Sequence, residues 1–385
     1  MKVVILVLLG VCLLFFFVDL FTIFYTWQSR IHMGRYSTYE EWEDRVAKTS
    51  LKWLLKTPKV KITDNTRLIL IDILKRNYSK NTIQYWQQAA LLLGLNNKSK
   101  VSQEQVNKFL NSYFNEEGDW RNRPKEIDAA ILSYAVMEQD CEDKYKKSYD
   151  SIIELIEEHK GDDGTIVYRK HMKDYRYVDT IGLICPFLTR YGIKFDKEEY
   201  VELAFKQIVS YRVHGFLNNQ VIPYHAYDEI NRYPLGVCGW GRGIGWYALG
   251  VIDMWREIPD NHLYKEQLRV YVIELAQQLI RIQHESGGWG WISTRSESRD
   301  DSSATAICLW FLMNANSLDE LNDKCDNSIK KGIGYLKKVT RRNGAIDFSQ
   351  GDTKDIGVYS TLFDLLPFTQ GITLRCIMKD KGISL

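Results

Sequence analysis

Apolar residues recur at three- and four-residue steps over most of this chain, a spacing typical of helices. Two kinds of segment alternate. Some are apolar almost throughout, such as "DAAILSYAVM", and others are amphipathic, such as "HLYKEQLRVYVIELAQQLIRIQ". No long alternation of apolar and polar residues suggests a strand. Counting these segments over residues 66–374 predicts about twelve helices.

A second pattern repeats along the same region. A loop that contains glycine and aromatic residues leads, some ten residues later, into an apolar helical run. The loop glycines lie about 50 to 70 residues apart, as internal repeats of helical hairpins do: Gly118, Gly164, Gly215, Gly287 and Gly344. Apolar inner helices ringed by amphipathic outer helices predict an all-α fold, the (α/α)6 barrel, with the loops gathered at one end.

The N-terminus carries a different signal. Residues 3–25, "VVILVLLGVCLLFFFVDLFTIFY", contain one charged residue, Asp19, and are long enough to span a bilayer. A secretory signal peptide would be shorter and would end in small residues. The sequence therefore predicts a membrane anchor in residues 1–28, a linker and leading helix in 29–64, and the barrel in 65–385. The barrel is expected on the outer side of the membrane, and a cleaved, secreted form is the alternative.

Composition narrows the class of partner. The chain has 51 Lys and Arg against 49 Asp and Glu and lacks a basic block, so nucleic acid is not an expected partner. Its 11 Trp and 23 Tyr suit a carbohydrate cleft, although the same rings could fill a helical core. Seven cysteines show neither CxxC nor metal-ligand spacing, and HExxH is absent. We therefore expect no metal and no cofactor.

The segment "GWGRGIGWYALG", residues 239–250, places glycines and two tryptophans around an arginine. Its spacing fits neither a dinucleotide fingerprint nor a P-loop. It lies at a junction between a loop and an apolar helix, as do three aspartates, so these side chains should converge at the mouth of the barrel. A single aspartate at such a position is usually a helix cap. Two aspartates converging with an arginine and two tryptophans predict a sugar-binding cleft. The residues at such junctions are Asp128, Asp179, Asp301, Trp240 and Arg242.

These residues carry a resemblance to a known group of enzymes. "EIDAAILSYAV", "YRYVDTIGLICPFLTRYG", "YHAYDE" and "GWGRGIGWYALGVIDM" follow one another over residues 86–306. In this order they resemble the unsaturated glucuronyl and rhamnogalacturonyl hydrolases, glycoside hydrolase families 88 and 105. The resemblance implies the same barrel. It also implies removal of a 4,5-unsaturated uronic acid from the non-reducing end of an oligosaccharide, by hydration of the vinyl ether.

The resemblance also implies roles for individual residues. Asp179 corresponds to the general acid and base, and Asp128 to a second essential aspartate that keeps the first protonated. His225 in "YHAYDE" corresponds to a histidine near the substrate or the attacking water. The subsite is lined by Trp240, Arg242 and Trp246, with Arg242 meeting a carboxylate or hydroxyls. The glycines between them are expected to bring the backbone close to the sugar.

Three positions depart from the family pattern. Thr180 and Ile181 replace a common Gly-Leu pair, and Tyr227 replaces a tryptophan. These departures leave the identity of the substrate open. Two further segments at the mouth, residues 287–291 and 300–306, are expected to pack or to cap a helix rather than to contact the sugar.

Two other functions remain as alternatives. Epimerases and polysaccharide lyases share the barrel, but epimerases of this shape need a pair of histidines at the cleft. Here His225 lies in a junction motif, and His171 is a poorer candidate for the second histidine. A membrane-anchored glycan-binding protein without turnover is the third hypothesis.

Overall fold

The computed structural model describes residues 1–80, 84–95, 103–139, 143–218 and 220–380, and these are mainly helical. The helices are α1 (Lys2–Ser29), α2 (Tyr39–Leu55), α3 (Ile69–Leu74), α4 (Tyr85–Gly94), α5 (Gln103–Tyr113), α6 (Ala129–Met137), α7 (Lys146–Glu157), α8 (Val178–Lys194), α9 (Glu198–His214), α10 (Gly241–Glu257), α11 (Lys265–Ile282), α12 (Ser302–Ala315), α13 (Asn322–Lys338) and α14 (Pro367–Asp380). The strands are β1 (Val60–Lys61), β2 (Ser79–Lys80), β3 (Tyr175–Tyr177), β4 (Ala226–Asp228), β5 (Pro234–Leu235), β6 (Ser349–Gln350) and β7 (Phe363–Asp364).

Six apolar helices form a closed inner ring. In order around the ring they are α4, α6, α8, α10, α12 and α14, and α14 packs back against α4. Every residue of α6 and of α12 is buried, because each lies between ring neighbours and an outer helix. The outer layer is formed by α2, α5, α7, α9, α11 and α13. This arrangement confirms the (α/α)6 barrel predicted from the repeats.

Helix α2 is the leading helix of the segment 29–64. It packs against α14 and α4 and thereby supplies the outer partner of the last inner helix. The indole of Trp42 in α2 is buried, and its Nε1 donates a hydrogen bond to Thr340 Oγ1 at 2.9 Å. The first outer helix therefore closes the barrel against the final repeat.

The repeated loops are tight turns at the ends of outer helices. Four of the five predicted loop glycines have a positive φ, which side chains rarely adopt. The Cβ that Gly287 lacks would lie 2.2 Å from the carbonyl oxygen of Lys331, and that of Gly344 would lie 2.1 Å from that of Arg45. These two turns thus pack directly on the backbone of the outer helices α13 and α2. Gly215 differs, because it ends α9 with a negative φ of −101°.

Helix α10 lies unusually close to its neighbours because of its glycines. A Cβ at Gly241 would lie 2.3 Å from the carbonyl oxygen of Gly290, and one at Gly250 would lie 2.6 Å from that of Ile181 in α8. From the other side, a Cβ at Gly182 in α8 would lie 2.7 Å from a carbonyl oxygen of α10. These glycines approach the protein's own backbone. The expectation that they bring the backbone close to a sugar was wrong, since the space beside them is already filled.

A buried ion pair links the inner helices away from the loops. Arg375 in α14 and Asp253 in α10 are fully buried and 2.8 Å apart, and Arg375 also lies 3.2 Å from Glu138. The indole of Trp310 in α12 donates to the same aspartate at 2.9 Å. Buried charges need such partners, because an unpaired one would lose its hydration without compensation. The network therefore ties three adjacent inner helices together.

The N-terminal helix α1 is long and apolar enough to cross a membrane, and none of its residues is buried. It contacts the rest of the chain near its C-terminal end. The Asp19 carboxylate accepts the backbone N–H groups of Leu68 (2.6 Å) and Ile69 (3.1 Å) at the start of α3. Just after α1, Arg30 donates to the buried carboxylate of Asp347 at 2.8 Å. Two polar contacts thus attach α1 to the part of the chain that follows it.

We expect Gly344→Ala to lower the free energy of unfolding by at least about 2 kcal/mol, because the new methyl group forces a strained backbone conformation and meets Arg45. The matched control is Gly334→Ala in α13, where nothing lies within 4 Å of the added Cβ. That change should be neutral or stabilising by about 0.5 kcal/mol, because alanine favours helix. Urea titration of both variants measures the difference, and equal effects would contradict the packing role of Gly344.

Candidate functional site

A cleft of about 380 Å³ opens at the end of the barrel where the inner helices begin. Trp86, Asp179 and Arg242 line it, and each is the second residue of its helix, α4, α8 and α10. Residues of the loops and further residues of α8 and α10 complete the wall. The remaining lining residues are Ile62, Gln84, Tyr168, Arg169, His171, Met172, Tyr177, Leu183, His225, Trp240, Trp246, Asp352, Thr353, Lys354 and Asp355. Of the six residues to which the resemblance assigns a role, the cleft brings together all but Asp128.

Strand pairing sets the geometry of Asp179 and His225. Strand β3 runs directly into α8 and pairs antiparallel with β4, with Tyr177 opposite Ala226. Beyond this pair the Val178 N–H donates to the carbonyl oxygen of His225 at 3.0 Å. Asp179 is the next residue, and its Oδ2 lies 3.5 Å from His225 Nε2. That oxygen accepts no hydrogen bond from the described residues. Although Oδ2 is itself buried, the Asp179 side chain as a whole is 17% exposed and lines the cleft.

Tyr359 contacts the His225 ring at its Nδ1 nitrogen. Its hydroxyl oxygen lies 3.0 Å from His225 Nδ1 and accepts the backbone N–H of Val237, also at 3.0 Å. Burial raises the pKa of Tyr359 to about 12, so the hydroxyl keeps its proton and can donate it to Nδ1. Neutral imidazole has one N–H and one acceptor nitrogen. In the tautomer that accepts this hydrogen bond at Nδ1, the N–H lies at Nε2, on the side of Asp179.

Two indoles form the floor of the cleft. Trp240 is 1% exposed, its ring centroid lies 4.5 Å from that of His225, and its Nε1 donates to Gln350 Oε1 at 2.9 Å. Trp246 is 2% exposed and meets Trp86 edge to face with centroids 5.6 Å apart. The rings thus offer small apolar faces to the cleft while most of their surface packs inside the barrel.

The guanidinium group of Arg242 is held by the chain itself. One terminal nitrogen donates to the carbonyl oxygen of Gln350 (2.7 Å) and to Ser303 Oγ (3.3 Å). The other donates to the carbonyl oxygen of Gly351 (2.8 Å) and to Thr353 Oγ1 (3.2 Å). Both terminal nitrogens of Arg242 therefore already bind groups of the chain. The sequence analysis expected them to bind a carboxylate or hydroxyls of the substrate instead. Arg242 instead contributes positive charge and fixes the loop that forms one wall.

Arg169 is the more accessible arginine of the cleft, with 21% of its side chain exposed. It lies over the Tyr168 ring at 3.9 Å and forms an ion pair with Glu126 at 2.8 Å. Burial acts to lower the pKa of Arg169, but the nearby Tyr168, Asp128 and Glu126 outweigh it and the pKa is raised. The sequence analysis did not identify this residue, since it stands in the loop of the second repeat and outside the quoted motifs. Its position ten residues before Asp179 was the only signal available.

Asp128 is buried just before α6, and its side chain does not cap that helix. Its Oδ1 has no hydrogen-bond partner among the described residues. Burial raises the pKa of Asp128 to about 6, and Glu126 adds to the shift while Arg169 opposes it. Asp128 does not line the cleft directly. Its negative charge acts on Arg169, which lines the cleft, and helps to raise the pKa of that arginine.

Asp301 behaves as the expected helix cap. It is fully buried, its carboxylate accepts the N–H of Ser303 at the start of α12, and it also accepts the N–H of Gln350 at 3.0 Å. In the glycine-rich segment 287–291, Trp289 is fully buried and donates to the carbonyl oxygen of Leu279. Both residues therefore support the loop layer, as expected.

The three departures from the family pattern lie outside the cleft lining. Thr180 and Ile181 are 2% exposed and Tyr227 is 1% exposed, and all three point into packed regions of the barrel. By contrast, His171 does line the cleft, on the short 3-10 helix Lys170–Met172. The described residues thus bring two histidines, His171 and His225, to the same cleft.

The described residues contain no group of three His, Cys, Asp or Glu side chains that could hold a metal ion. Six cysteines are free thiols in this part of the chain, four of them buried: Cys12, Cys185, Cys238, Cys308, Cys325 and Cys376. The seventh, Cys141, lies outside the described residues.

The raised pKa of Asp128 makes stability depend on pH. Between about pH 4 and pH 6 the native carboxyl holds a proton that the unfolded chain has released, so this group's contribution to stability falls as pH rises. In Asp128→Asn the side chain does not ionise, so this loss of stability with rising pH disappears. The variant's stability relative to the parent should therefore increase from about pH 4 to about pH 7, by up to about 3 kcal/mol.

Urea titrations of both proteins at the two pH values measure this change, and the other carboxyl groups cancel in the difference. A relative stability that stays constant would contradict the burial of an uncompensated Asp128 carboxylate.

Comparisons with known proteins place the chain in a family. The model of Glycosyl Hydrolase Family 88 matches residues 62–364. Unsaturated rhamnogalacturonyl hydrolase YesR of Bacillus subtilis (strain 168) is 29% identical over 147 residues, which are 37% of this chain. The matched part spans 41% of that relative's length.

Solved structures share the fold. A possible member of the GH105 family from Salmonella enterica serovar Paratyphi A superposes with a TM-score of 0.75 at 15% identity, covering 91% of this chain and 97% of that one. Unsaturated glucuronyl hydrolase from Bacillus sp. GL1 superposes with a TM-score of 0.66 at 16% identity, covering 92% and 97%. Because the family model matches most of the chain, this protein belongs to Glycosyl Hydrolase Family 88.

Proposed function

We propose that this chain is a glycoside hydrolase that removes a 4,5-unsaturated uronic acid from the non-reducing end of an oligosaccharide. The observation that carries the proposal is the carboxylate of Asp179. The side chain lines the cleft and is 17% exposed, and its buried Oδ2, which accepts no hydrogen bond from the described residues, lies 3.5 Å from His225 Nε2. A carboxyl group so placed can exchange a proton with a bound molecule.

The proposed reaction is hydration of the vinyl ether. Asp179 in its acid form donates a proton to C4, and positive charge develops toward C5. Water adds at C5 and returns a proton to the Asp179 carboxylate. The resulting hemiketal opens by breaking the bond between C5 and the ring oxygen, which forms a ketone at C5 and leaves a hemiacetal at C1. Breakdown of this hemiacetal breaks the bond between C1 and the oxygen of the leaving sugar and releases a keto-acid. One carboxyl group therefore serves first as acid and then as base.

Other residues of the cleft have supporting roles in this proposal. His225 orients the attacking water or a substrate hydroxyl, and Tyr359 holds the histidine in the required tautomer. Arg169, the more accessible arginine of the cleft, binds the uronic carboxylate in this proposal, whereas Arg242 adds positive charge while its donors bind the chain. Trp240 and Trp246 form the apolar floor on which a sugar ring can stack.

The charge of Asp128 fits a supporting role as well. Its carboxyl group stays buried, and with a pKa of about 6 it is partly protonated near neutral pH. Its ionised form acts on Arg169, the arginine proposed to bind the uronic carboxylate. We therefore retain Asp128 as the second essential aspartate of the proposed mechanism.

We also propose that α1 is an uncleaved membrane anchor, with the barrel on the outer side. The contact of Asp19 with the start of α3 supports retention. Cleavage at the end of the apolar segment would remove Asp19 and leave those two N–H groups without this acceptor. A barrel on the outer side would meet glycan fragments outside the cell.

Asp179→Asn should lower kcat by about 10² to 10⁴, because the amide cannot exchange the proton. The assay offers lyase-generated unsaturated disaccharides of pectic, glycosaminoglycan and ulvan types and follows loss of the ultraviolet absorbance of the double bond. The matched control is Asp162→Asn, an exposed aspartate in a loop outside the cleft lining.

Absorbance loss that persists in Asp179→Asn would contradict the role of this residue. A folded parent protein that is inert on every disaccharide would contradict the proposed reaction on these substrates. Conversion of saturated sugars instead would favour an epimerase that uses His171 and His225.

Tyr359→Phe should lower kcat about tenfold and leave KM nearly unchanged, because the His225 ring then loses the donor that sets its tautomer. Tyr233→Phe is the control, since that tyrosine is 64% exposed. The same absorbance assay gives both constants. An unchanged kcat, or an effect confined to KM, would contradict the positioning role of Tyr359.

A further inference from the structure

We propose that α3 and the residues that flank it form a second membrane contact, seated in the lipid headgroup layer beside α1. This proposal rests on α1 being a membrane anchor. It concerns the segment 67–76, "RLILIDILKR", which no part of the proposed reaction uses. The occupant of this surface is the bilayer itself.

The first observation is the apolar surface of α3. Of its large apolar side chains, Leu74 is 73% exposed and Leu68, just before the helix, is 56% exposed. Ile71 and Ile73 are also exposed. Apolar groups clustered in this way on a single short element mark an interaction surface.

The second observation is the charge around that surface. Arg67 precedes the apolar residues, Lys75 and Arg76 follow them, and all three side chains are exposed. The acidic residue of the helix, Asp72, is turned inward and accepts hydrogen bonds from Thr63 and Asn65. Apolar residues bordered by exposed cations fit the boundary between acyl chains and anionic headgroups.

The third observation gives the depth of α3. With a rise of 1.5 Å per residue, Lys2 and Asp19 are about 26 Å apart along α1, close to the hydrocarbon thickness of about 30 Å. Asp19 therefore lies near the membrane–water boundary, where a charged group is tolerated. Tyr25 and Trp27 follow within the next turns and are exposed, as interfacial aromatics are.

The same aspartate positions α3. Because the Asp19 carboxylate binds the N–H groups of Leu68 and Ile69, the start of α3 lies at the level of that boundary. The apolar face of α3 is thus continuous with the lipid-facing surface of α1. This continuity favours lipid over a second protein as the occupant.

The consequence concerns the cleft. Ile62 lines the cleft, and the chain then runs through Asp64, which binds Ser360 Oγ (2.6 Å) and Lys354 Nζ (3.2 Å), to Leu68. Six residues span at most about 20 Å. The cleft wall at Ile62 is therefore held within about 20 Å of the headgroups. The cleft can thus reach the ends of glycans that lie close to the membrane surface.

The test measures depth with a fluorescent label on single cysteines. In the full chain Cys12, Cys141 and Cys238 are replaced by serine, while the four buried cysteines are kept. NBD is then attached at Leu74→Cys or, as a second reporter, at Ile71→Cys. The control for a water-exposed site is Leu263→Cys, which is 83% exposed before α11, and a variant that retains Cys12 reports on α1.

The labelled proteins are reconstituted into vesicles of phosphatidylcholine and phosphatidylglycerol, with or without a lipid that carries a nitroxide near the top of its acyl chain. We expect the nitroxide to remove about half or more of the emission at residues 74 and 71, and less than about one tenth at residue 263. Hydrolysis is not measured, so the result is independent of the proposed reaction.

Quenching at Cys12 with none at residues 74 and 71 would overturn the second contact and leave the anchor and the proposed reaction intact. A lack of quenching at all the labelled positions would overturn both the anchor and the second contact. Quenching at residues 74 and 71 equal to that at residue 263 would show that α3 faces water or another protein.

Discussion

The close contact between α8 and α10 is the constraint on which the cleft depends. Glycines on both helices let their backbones meet, with Gly182 against α10 and Gly250 against α8. Both helices begin at the same end of the barrel, so the second residue of each, Asp179 and Arg242, reaches the same cleft. A larger side chain at either glycine would have to separate the helices and would widen the distance between these two side chains.

The last repeat holds the cleft residues from the opposite side. Gln350 accepts from the Trp240 indole and from Arg242, and its own N–H binds Asp301. Nine residues later, Tyr359 contacts His225. The loop that contains these residues also supplies part of the cleft wall. The residues that line the cleft and the residues that hold them in place thus form one continuous layer. The Arg242 guanidinium group is part of this layer, because its N–H groups bind carbonyl oxygens of the last-repeat loop.

The N-terminal part of the chain joins this layer at two points. Arg30 binds Asp347, which also pairs with Arg341 in the last repeat, and Asp64 binds Lys354 of the cleft wall. The segment from α1 to β2 is therefore attached both to the barrel and to the proposed membrane surface. Because these contacts are polar and specific, they hold the cleft at a defined distance from α1.

The sequence by itself determined the barrel, because its apolar periodicity and its repeated glycine loops are local properties that survive without knowledge of the contacts. It also identified Asp179, His225, Trp240, Arg242 and Trp246, which share motif-like junctions and meet in the cleft. Only the tertiary structure separated three aspartates that look alike in sequence: Asp301 caps α12, Asp128 is buried without a cap, and Asp179 faces the cleft. It also revealed Arg169 and Tyr359, and showed that the glycines of α10 face neighbouring helices. These assignments depend on which atoms from distant repeats fill the space around each side chain, and spacing along the chain does not carry that information.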